Sequence, residues 1–271
     1  MLRQRIITAV ALLVLLAAVL GSGSLLAFRM TLSVFFAAAC WESFRLLKIA
    51  LALPFAAVGG ILLLLLISGP HPAWTPLALL CVVIWVLRFV PALRFGLPSE
   101  EGVPGLLFAA VFFLALLGCF ISIAVLFQRS PVFLVSAMAI VWVADIGAYF
   151  AGRAFGRRKL APTISPGKSW EGVVGGWVAV IVLAAASSFS PALQESFAPV
   201  LLRQYGWPLW LVLMSLLVAA SVIGDLFESL LKRRAGVKDS SNLLPGHGGV
   251  LDRIDALIPV MPLALLLASR S

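Results

Sequence analysis

Two acidic side chains and a lysine share one helix face in the last fifth of the sequence. The run that begins at Pro208 has no helix breaker before Gly224, and it continues as IGDLFESLLKRR. Because Asp225, Glu228 and Lys232 are spaced i, i+3 and i+7, they form one column on a continuous helix. Such a column alone is equally typical of a solvated helix end with an ordinary glutamate–lysine pair.

A second polar group follows a glycine-rich turn, in PGHGGVLDRID. Glycines let the backbone approach a ligand closely, and successive N–H groups there can cradle an anion. Asp252 and Asp255 lie at i and i+3 where the last apolar run begins, a position where acidic residues are also common for structural reasons. Beside Asp225, they could hold a divalent cation, since Mg²⁺ prefers carboxylate oxygens and completes its shell with water and substrate phosphates.

A third segment, TISPGKSWEG at residues 163–172, predicts a phosphate-binding turn. Ser165, Lys168 and Ser169 surround a Pro-Gly pair and can donate several hydrogen bonds to a phosphate, although the glycine spacing of a P-loop is missing. Upstream, Asp145 lies within an apolar run. A carboxylate there is costly and is a candidate for function, with pairing to a nearby arginine as the structural alternative.

The elements that must position these groups are apolar. Of the 271 residues, 62% are hydrophobic and 11% are charged, with a mean hydropathy of +1.12. No soluble core could cover so much apolar surface, so we predict an all-α, polytopic integral membrane protein with about nine transmembrane helices, the first of them uncleaved. The apolar runs lie at about 6–20, 25–41, 50–68, 74–90, 106–127, 131–150, 172–189, 208–224 and 251–268.

Charge predicts the orientation and a division into three regions. With the N-terminus in the cytoplasm, all lysines and arginines except Arg29, Arg129, Arg203 and Arg270 lie on the cytoplasmic side, as the positive-inside rule requires. All acidic residues except Glu195 lie there too. Acidic residues barely affect orientation, so their clustering indicates function. The predicted regions are N-terminal helices (1–70), middle helices (71–150) and a C-terminal catalytic region (151–271).

Residues 229–255, SLLKRRAGVKDSSNLLPGHGGVLDRID, resemble the signature of phosphatidate cytidylyltransferases, also called CDP-diacylglycerol synthases. The segments KLAPTISPGKSWEG and VADIGAYFAGRAFG resemble the same family, so the resemblance covers about 144–172 and 224–255. The first hundred or so residues are similar only in being repeated apolar spans. The fixed signature positions, all met here, are Ser229, Lys232, Arg233, Lys238, Asp239, Pro245, Gly246, His247, Gly248, Gly249, Asp252, Arg253 and Asp255.

The resemblance implies that CMP is transferred from CTP to phosphatidic acid, giving CDP-diacylglycerol and pyrophosphate, with Mg²⁺ as cofactor. It implies Asp225 and Asp252 as metal ligands, with a second cation compatible with the site. Lys232 and Asp255 complete the catalytic set, and Glu228 is a further ligand or orients one. The implied substrate-binding residues are Ser165, Lys168, Ser169, Arg233, Lys238, Asp239, His247, Gly248, Gly249 and Arg253.

The implied location is the cytoplasmic (inner) membrane of a bacterium, with membrane lipid and no nucleic acid as a partner; the sequence is compatible with a homodimer but does not specify the oligomeric state. A transporter for an anionic metabolite is the main alternative, although its charges would lie near the midplane. A CDP-alcohol phosphotransferase needs an Asp-Gly-x-x-Ala-Arg run, and this sequence has no Asp-Gly. A relative that acts on an isoprenoid ether lipid or a polyprenol stays open.

Overall fold

The computed structural model describes residues 2–69 and 73–269 of the chain, and helices make up most of it. A two-stranded hairpin and two short connecting helices complete the fold. The helices are α1 (Leu2–Gly21), α2 (Leu25–Leu46), α3 (Ala52–Ser68), α4 (Thr75–Ile84), α5 (Val90–Phe95), α6 (Gly102–Arg129), α7 (Pro131–Phe155), α8 (Trp170–Ser187), α9 (Phe197–Arg234), α10 (Leu251–Ile254) and α11 (Leu257–Ala268). The strands are β1 (Lys159–Ala161) and β2 (Ser165–Ser169).

Six helical stretches of the described residues are long and apolar enough to cross a membrane. They are α2, α6, α7, α8, α9 and the continuous unit Thr75–Phe95, which joins α4 to α5 through a π-helical turn at Trp85–Phe89. Pro91 follows that turn and has no N–H to donate, which favours a local change of helix register. The membrane character of the chain is thus supported, while the count of nine spans stays a prediction.

The helix α9 is longer than its apolar run, and one kink divides it. Gly206 adopts a φ of 69°, which interrupts the helix, and Pro208 begins the next straight segment. From there the helix continues to Arg234, as the absence of a breaker predicts. This extension carries Asp225, Glu228 and Lys232 out of the apolar run on a rigid support.

An aromatic cluster fixes the rotation of α9 about its own axis. Phe227 is fully buried, and its ring centroid lies 4.6 Å from Phe89, 5.4 Å from Trp85 and 5.6 Å from Phe112. Rings at such distances pack favourably in tilted and edge-to-face geometries. Because Phe227 points into this cluster, its neighbours on α9 are held at fixed angles to the rest of the bundle.

Small residues let α7 and α8 pack closely. A Cβ atom on Gly175 would lie 2.1 Å from the Cβ of Ala151, and one on Gly176 would lie 2.5 Å from the carbonyl oxygen of Ala144. Side chains larger than these would separate the two helices. The close approach places the C-terminal end of α7 beside the first turns of α8.

The segment between α7 and α8 is a β-hairpin, which corrects both the predicted turn at residues 163–172 and the strictly all-α fold. Lys159 pairs with Ser169, and Ala161 with Ser165, in antiparallel register. Backbone hydrogen bonds across this pair hold Lys168 in an extended strand, so its side chain projects from a defined edge.

Candidate active site

The predicted site residues gather at one end of the helix bundle. The C-terminal ends of α2, α7 and α9 meet there with the beginnings of α6, α8 and α10. Glu100 lies just before α6, outside the candidate spans, and links the ends of α2 and α9. Lys48 Nζ lies 2.6 Å from its Oε2, and Arg234 Nε lies 3.3 Å from its Oε1. The hydrogen bond from Lys48 and the charge of Arg234 lower the pKa of the Glu100 carboxyl.

A cleft of about 430 Å³ opens between α7, α8 and α9. Asp145, Arg153, Lys168 and Asp225 are its charged residues, and Lys168 Nζ makes an ion pair with Asp225 Oδ2. The structure therefore brings the predicted phosphate-binding lysine to the predicted metal-binding aspartate. Much of the remaining lining is small or apolar, including Ala144, Ala148, Gly172, Gly176, Val218 and Val222.

A second lysine lies between two buried carboxylates further toward the C-terminal end of α9. Lys232 Nζ makes an ion pair with Glu228 Oε2 and lies 2.6 Å from Asp252 Oδ1. The predicted column on α9 thus exists, but Asp225 pairs with Lys168 rather than with Lys232. Asp145, Asp225 and Asp255 are close enough to one another to interact electrostatically, which joins the two groups into one cluster of charge.

The second oxygen of Asp252 organises the loop that precedes α10. Its Oδ2 accepts hydrogen bonds from the backbone N–H of Ser240 (2.8 Å), the hydroxyl of Ser240 (2.8 Å) and the N–H of Gly249 (2.7 Å). The N–H of Gly249, predicted to contact phosphate, is therefore occupied by a side chain of the protein itself in this structure.

The glycines of this loop form its turn. Gly246 and Gly248 have φ values of 77° and 80°, in the left-handed region that favours glycine. A bond from Leu244 N to Gly248 O (2.8 Å) closes the turn, and Arg253 donates to the carbonyl oxygen of His247 at 3.1 and 2.6 Å. The His247 carbonyl oxygen and the Arg253 side chain thus contribute to the shape of the loop.

Other predicted residues have structural contacts of their own. Ser169 is buried and caps α8 by accepting from Gly172 N at 3.2 Å, and Arg233 Nε donates to the carbonyl oxygen of Ile164 at 3.2 Å. Asp255 Oδ1 accepts from Ala256 N at 2.8 Å, at the entrance of α11. The remaining predicted residues lie at the periphery: Ser165 is half-buried, and Lys238 and Asp239 are exposed.

Sequence reasoning missed Glu42, at the C-terminal end of α2. Its side chain is fully buried, and it accepts hydrogen bonds from the loop at 240–241 and from the beginning of α10. The signal that could have found it is a carboxylate next to an apolar run, the same signal that selected Asp145.

Asp225 and Asp252 offer the oxygen donors that a divalent cation prefers, so their chemistry is compatible with the predicted Mg²⁺. Asp225 and Asp252 each have an oxygen in contact with a lysine ammonium group, so both carboxylates already face a cation. Among the described residues, no three histidine, cysteine or acidic side chains form a ready metal cage. Substrate phosphates and water would therefore supply the other ligands, as is usual for Mg²⁺.

A carboxylate–lysine cluster where apolar helices end, beside a largely apolar cleft, favours a membrane protein that binds charged or phosphorylated groups. Comparison with known proteins agrees: the sequence profile described as the cytidylyltransferase family matches residues 3–270, and the chain belongs to that family. The family predicted from residues 229–255 is thereby confirmed.

Individual relatives carry a more specific name. The chain is 42% identical to the phosphatidate cytidylyltransferase of Pseudomonas aeruginosa, over 99% of this chain and 98% of the relative. It is 54% identical to the enzyme of that name from Haemophilus influenzae, over 45% of this chain and 41% of the relative. For the Bacillus subtilis enzyme the identity is 42%, over 53% of this chain and 49% of the relative.

Proposed function

We propose that this protein transfers CMP from CTP to phosphatidic acid, forming CDP-diacylglycerol and pyrophosphate. One observation carries the proposal: the Lys168–Asp225 pair lies in a cleft whose lining is otherwise largely small and apolar. A reaction between a lipid phosphate and a soluble nucleotide needs such a junction. The full-length similarity to a phosphatidate cytidylyltransferase supports the same substrates.

The reaction needs charge neutralisation more than a general base. An oxygen of the phosphatidate phosphate attacks the α-phosphorus of CTP, and a new O–P bond forms. The bond from that phosphorus to the bridging oxygen of the β-phosphate breaks, and pyrophosphate leaves with the electron pair. A phosphate monoester has a second pKa of about 6 and is largely ionised at pH 7. The main obstacle is bringing two anions together, which positioning and fixed cations overcome.

The lysines of the cluster supply fixed cations. Lys168 extends from β2 into the cleft, where phosphate oxygens can replace Asp225 as its partner. Lys232 is held between Glu228 and Asp252, so its ammonium group stays at one place as substrates arrive. Mg²⁺ held by Asp225 and Asp252 would neutralise phosphate charge, and a second cation is compatible with the remaining carboxylates.

We place the site on the cytoplasmic face of a bacterial inner membrane, in a chain of nine spans with a cytoplasmic N-terminus. The distribution of lysine and arginine supports this orientation. Single cysteines at 156–160 or at 236–242 should react with a membrane-impermeant reagent in inverted vesicles but not in intact cells. Labelling in intact cells would contradict the orientation.

The activity is tested with protein purified in detergent. Wild-type protein given CTP, phosphatidate and Mg²⁺ should release pyrophosphate, with none released when phosphatidate is omitted. Lys168→Ala should lower the rate or the apparent CTP affinity. Lys159→Ala, on the exposed end of the same hairpin, is the matched control and should behave as the wild type. A transporter would release no pyrophosphate in any sample.

The lipid substrate is tested in the same assay. Replacing phosphatidate with a polyprenyl phosphate or an isoprenoid ether analogue should reduce pyrophosphate release. Faster release with either analogue would keep the nucleotidyl transfer and change the lipid that is assigned.

A further inference from the structure

A fully buried carboxylate on α2 lies within hydrogen-bond distance of four donor groups from the other end of the sequence, and it shares one of them, the Ser240 hydroxyl, with Asp252. Glu42 Oε1 accepts from the hydroxyl of Ser241 and from Val250 N, the latter at 3.0 Å. Its Oε2 accepts from the hydroxyl of Ser240 at 3.2 Å and from Leu251 N at 2.6 Å. These partners are 198 to 209 residues away along the chain. Both oxygens are thus committed to residues 240–251.

We propose that Glu42 is a positioning residue for the transfer reaction, and that it acts by holding the loop 235–250 and the beginning of α10 in place. The inference rests on the proposed function. The link to the site is short: the Ser240 hydroxyl lies 3.2 Å from Glu42 and 2.8 Å from Asp252 Oδ2. The Leu251 N–H bonded by Glu42 immediately precedes Asp252. Glu42 therefore fixes the residue that Lys232 contacts.

The loop packs directly against the Glu42 carboxylate. A Cβ atom on Gly249 would lie 2.2 Å from Glu42 Oε1 and 2.1 Å from Ser240 Oγ, so only glycine fits at this position. The loop has little regular secondary structure to hold it. Burying a carboxylate is costly unless hydrogen bonds compensate, and a purely packing role would be filled at lower cost by an apolar side chain.

Glutamine at position 42 tests the idea with almost no change in shape. Its amide has one oxygen acceptor and one NH₂ donor. A serine hydroxyl can rotate to accept from that NH₂, but the N–H groups of Val250 and Leu251 cannot reverse. Either orientation of the amide therefore sets a donor against a backbone donor and displaces the loop. Glu42→Gln should lower kcat by about 10–100-fold, the usual effect of losing a group that orients site residues.

The kinetic signature distinguishes positioning from substrate binding. Glu42 touches residues 240–251 and no residue that lines the cleft, so kcat should fall while KM for phosphatidate changes by less than about threefold. KM for CTP should rise together with the loss of kcat, because the displaced loop carries Lys238. Ser43→Ala is the matched control: Ser43 is adjacent and also buried, but among the described residues its hydroxyl bonds only to Ala39 O within α2. This control should retain wild-type kcat.

A milder variant on the loop side covers the case in which Glu42→Gln does not fold. Ser241→Ala removes one of the four donors and leaves α2 intact. It should lower kcat in the same direction by a smaller factor. Its effect should be smaller still in the Glu42→Gln background, because the Ser241–Glu42 contact is already broken there and only the bond from Leu243 N to Ser241 Oγ is left to lose. Wild-type kcat for both Glu42→Gln and Ser241→Ala would overturn the proposal, as would a rise in KM for CTP alone.

A second readout does not depend on turnover. The native cysteines, Cys40, Cys81 and Cys119, are all buried, so a cysteine placed at the half-buried Leu244 reports on the loop by its rate of reaction with a maleimide. Adding Glu42→Gln should increase that rate, and adding Ser43→Ala should not. If the wild type releases no pyrophosphate, the proposed function fails while this labelling still tests the loop. Equal rates in the two backgrounds would refute the positioning role.

Discussion

Lys232→Met removes a cation that contacts two buried carboxylates, and the burial of these carboxylates determines how much folding stability is lost. The side chains of Glu228 and Asp252 are 1% and 6% exposed, so water cannot screen them once Lys232 is gone. Removing one partner of a buried ion pair costs about 3–5 kcal/mol. Lys48 provides the matched control, since it is 64% exposed in its pair with Glu100 and such a pair contributes about 0–1 kcal/mol.

The assay is thermal unfolding in one detergent, followed by the fluorescence of the eight tryptophans. A loss of 1 kcal/mol shifts Tm by about 2–4 °C in domains of similar size. Lys232→Met should therefore lower Tm by on the order of 10 °C, and Lys48→Met by only a few degrees. Equal shifts for the two variants would refute the electrostatic reasoning.

A second substitution separates stability from catalysis. Adding Glu228→Gln to Lys232→Met removes an uncompensated buried charge, so the double variant should regain much of the lost Tm. It should not regain pyrophosphate release, because the fixed cation is still missing. A double variant that is less stable than Lys232→Met would show that Glu228 is not the carboxylate that Lys232 neutralises.

Four further substitutions and one control test other parts of the site. Asp225→Asn and Asp252→Asn should each reduce turnover by ~10²-fold or more while the protein still inserts, and near-normal activity at low Mg²⁺ would exclude them as metal ligands. Gly248→Ala places a Cβ 2.6 Å from Asp252 Oδ2, whereas a Cβ on Gly236, which has a similar positive φ, meets no atom within 4 Å. Gly248→Ala should therefore lower Tm and turnover more than Gly236→Ala does. Equal losses in the two variants would show that backbone strain, and not the contact with Asp252, is the cause. Lys238→Ala should raise the apparent KM for CTP with arginine rescuing only partly, and unchanged kinetics would remove Lys238 from the nucleotide site.

Local patterns predicted the helical parts of the site well. The absence of a breaker between Pro208 and Gly224 predicted the straight part of α9, and helical periodicity predicted the face shared by Glu228 and Lys232. These features depend on neighbours within one or two turns, so the sequence carries them directly.

Contacts between segments that are distant in sequence could not be predicted from local patterns. The pairing of Lys168 with Asp225 depends on how closely α7 and α8 pack, and the hairpin that carries Lys168 has no alternating apolar pattern to reveal it. Glu42 is the clearest case, because its donors lie about 200 residues further along the chain. A position next to an apolar run makes an acidic residue a candidate, but that position alone does not reveal which groups bind the carboxylate.

The distance along the chain between Glu42 and its donors also determines when the site can form during synthesis. Ribosomes add about 5–20 residues per second, so about 10–40 s pass between synthesis of α2 and synthesis of the segment that binds its carboxylate. During that interval Glu42 has none of its four native donors, and water, headgroups or insertion factors must solvate it. A chain that stalls before residue 240 therefore lacks the groups that bind Glu42 and cannot assemble the site.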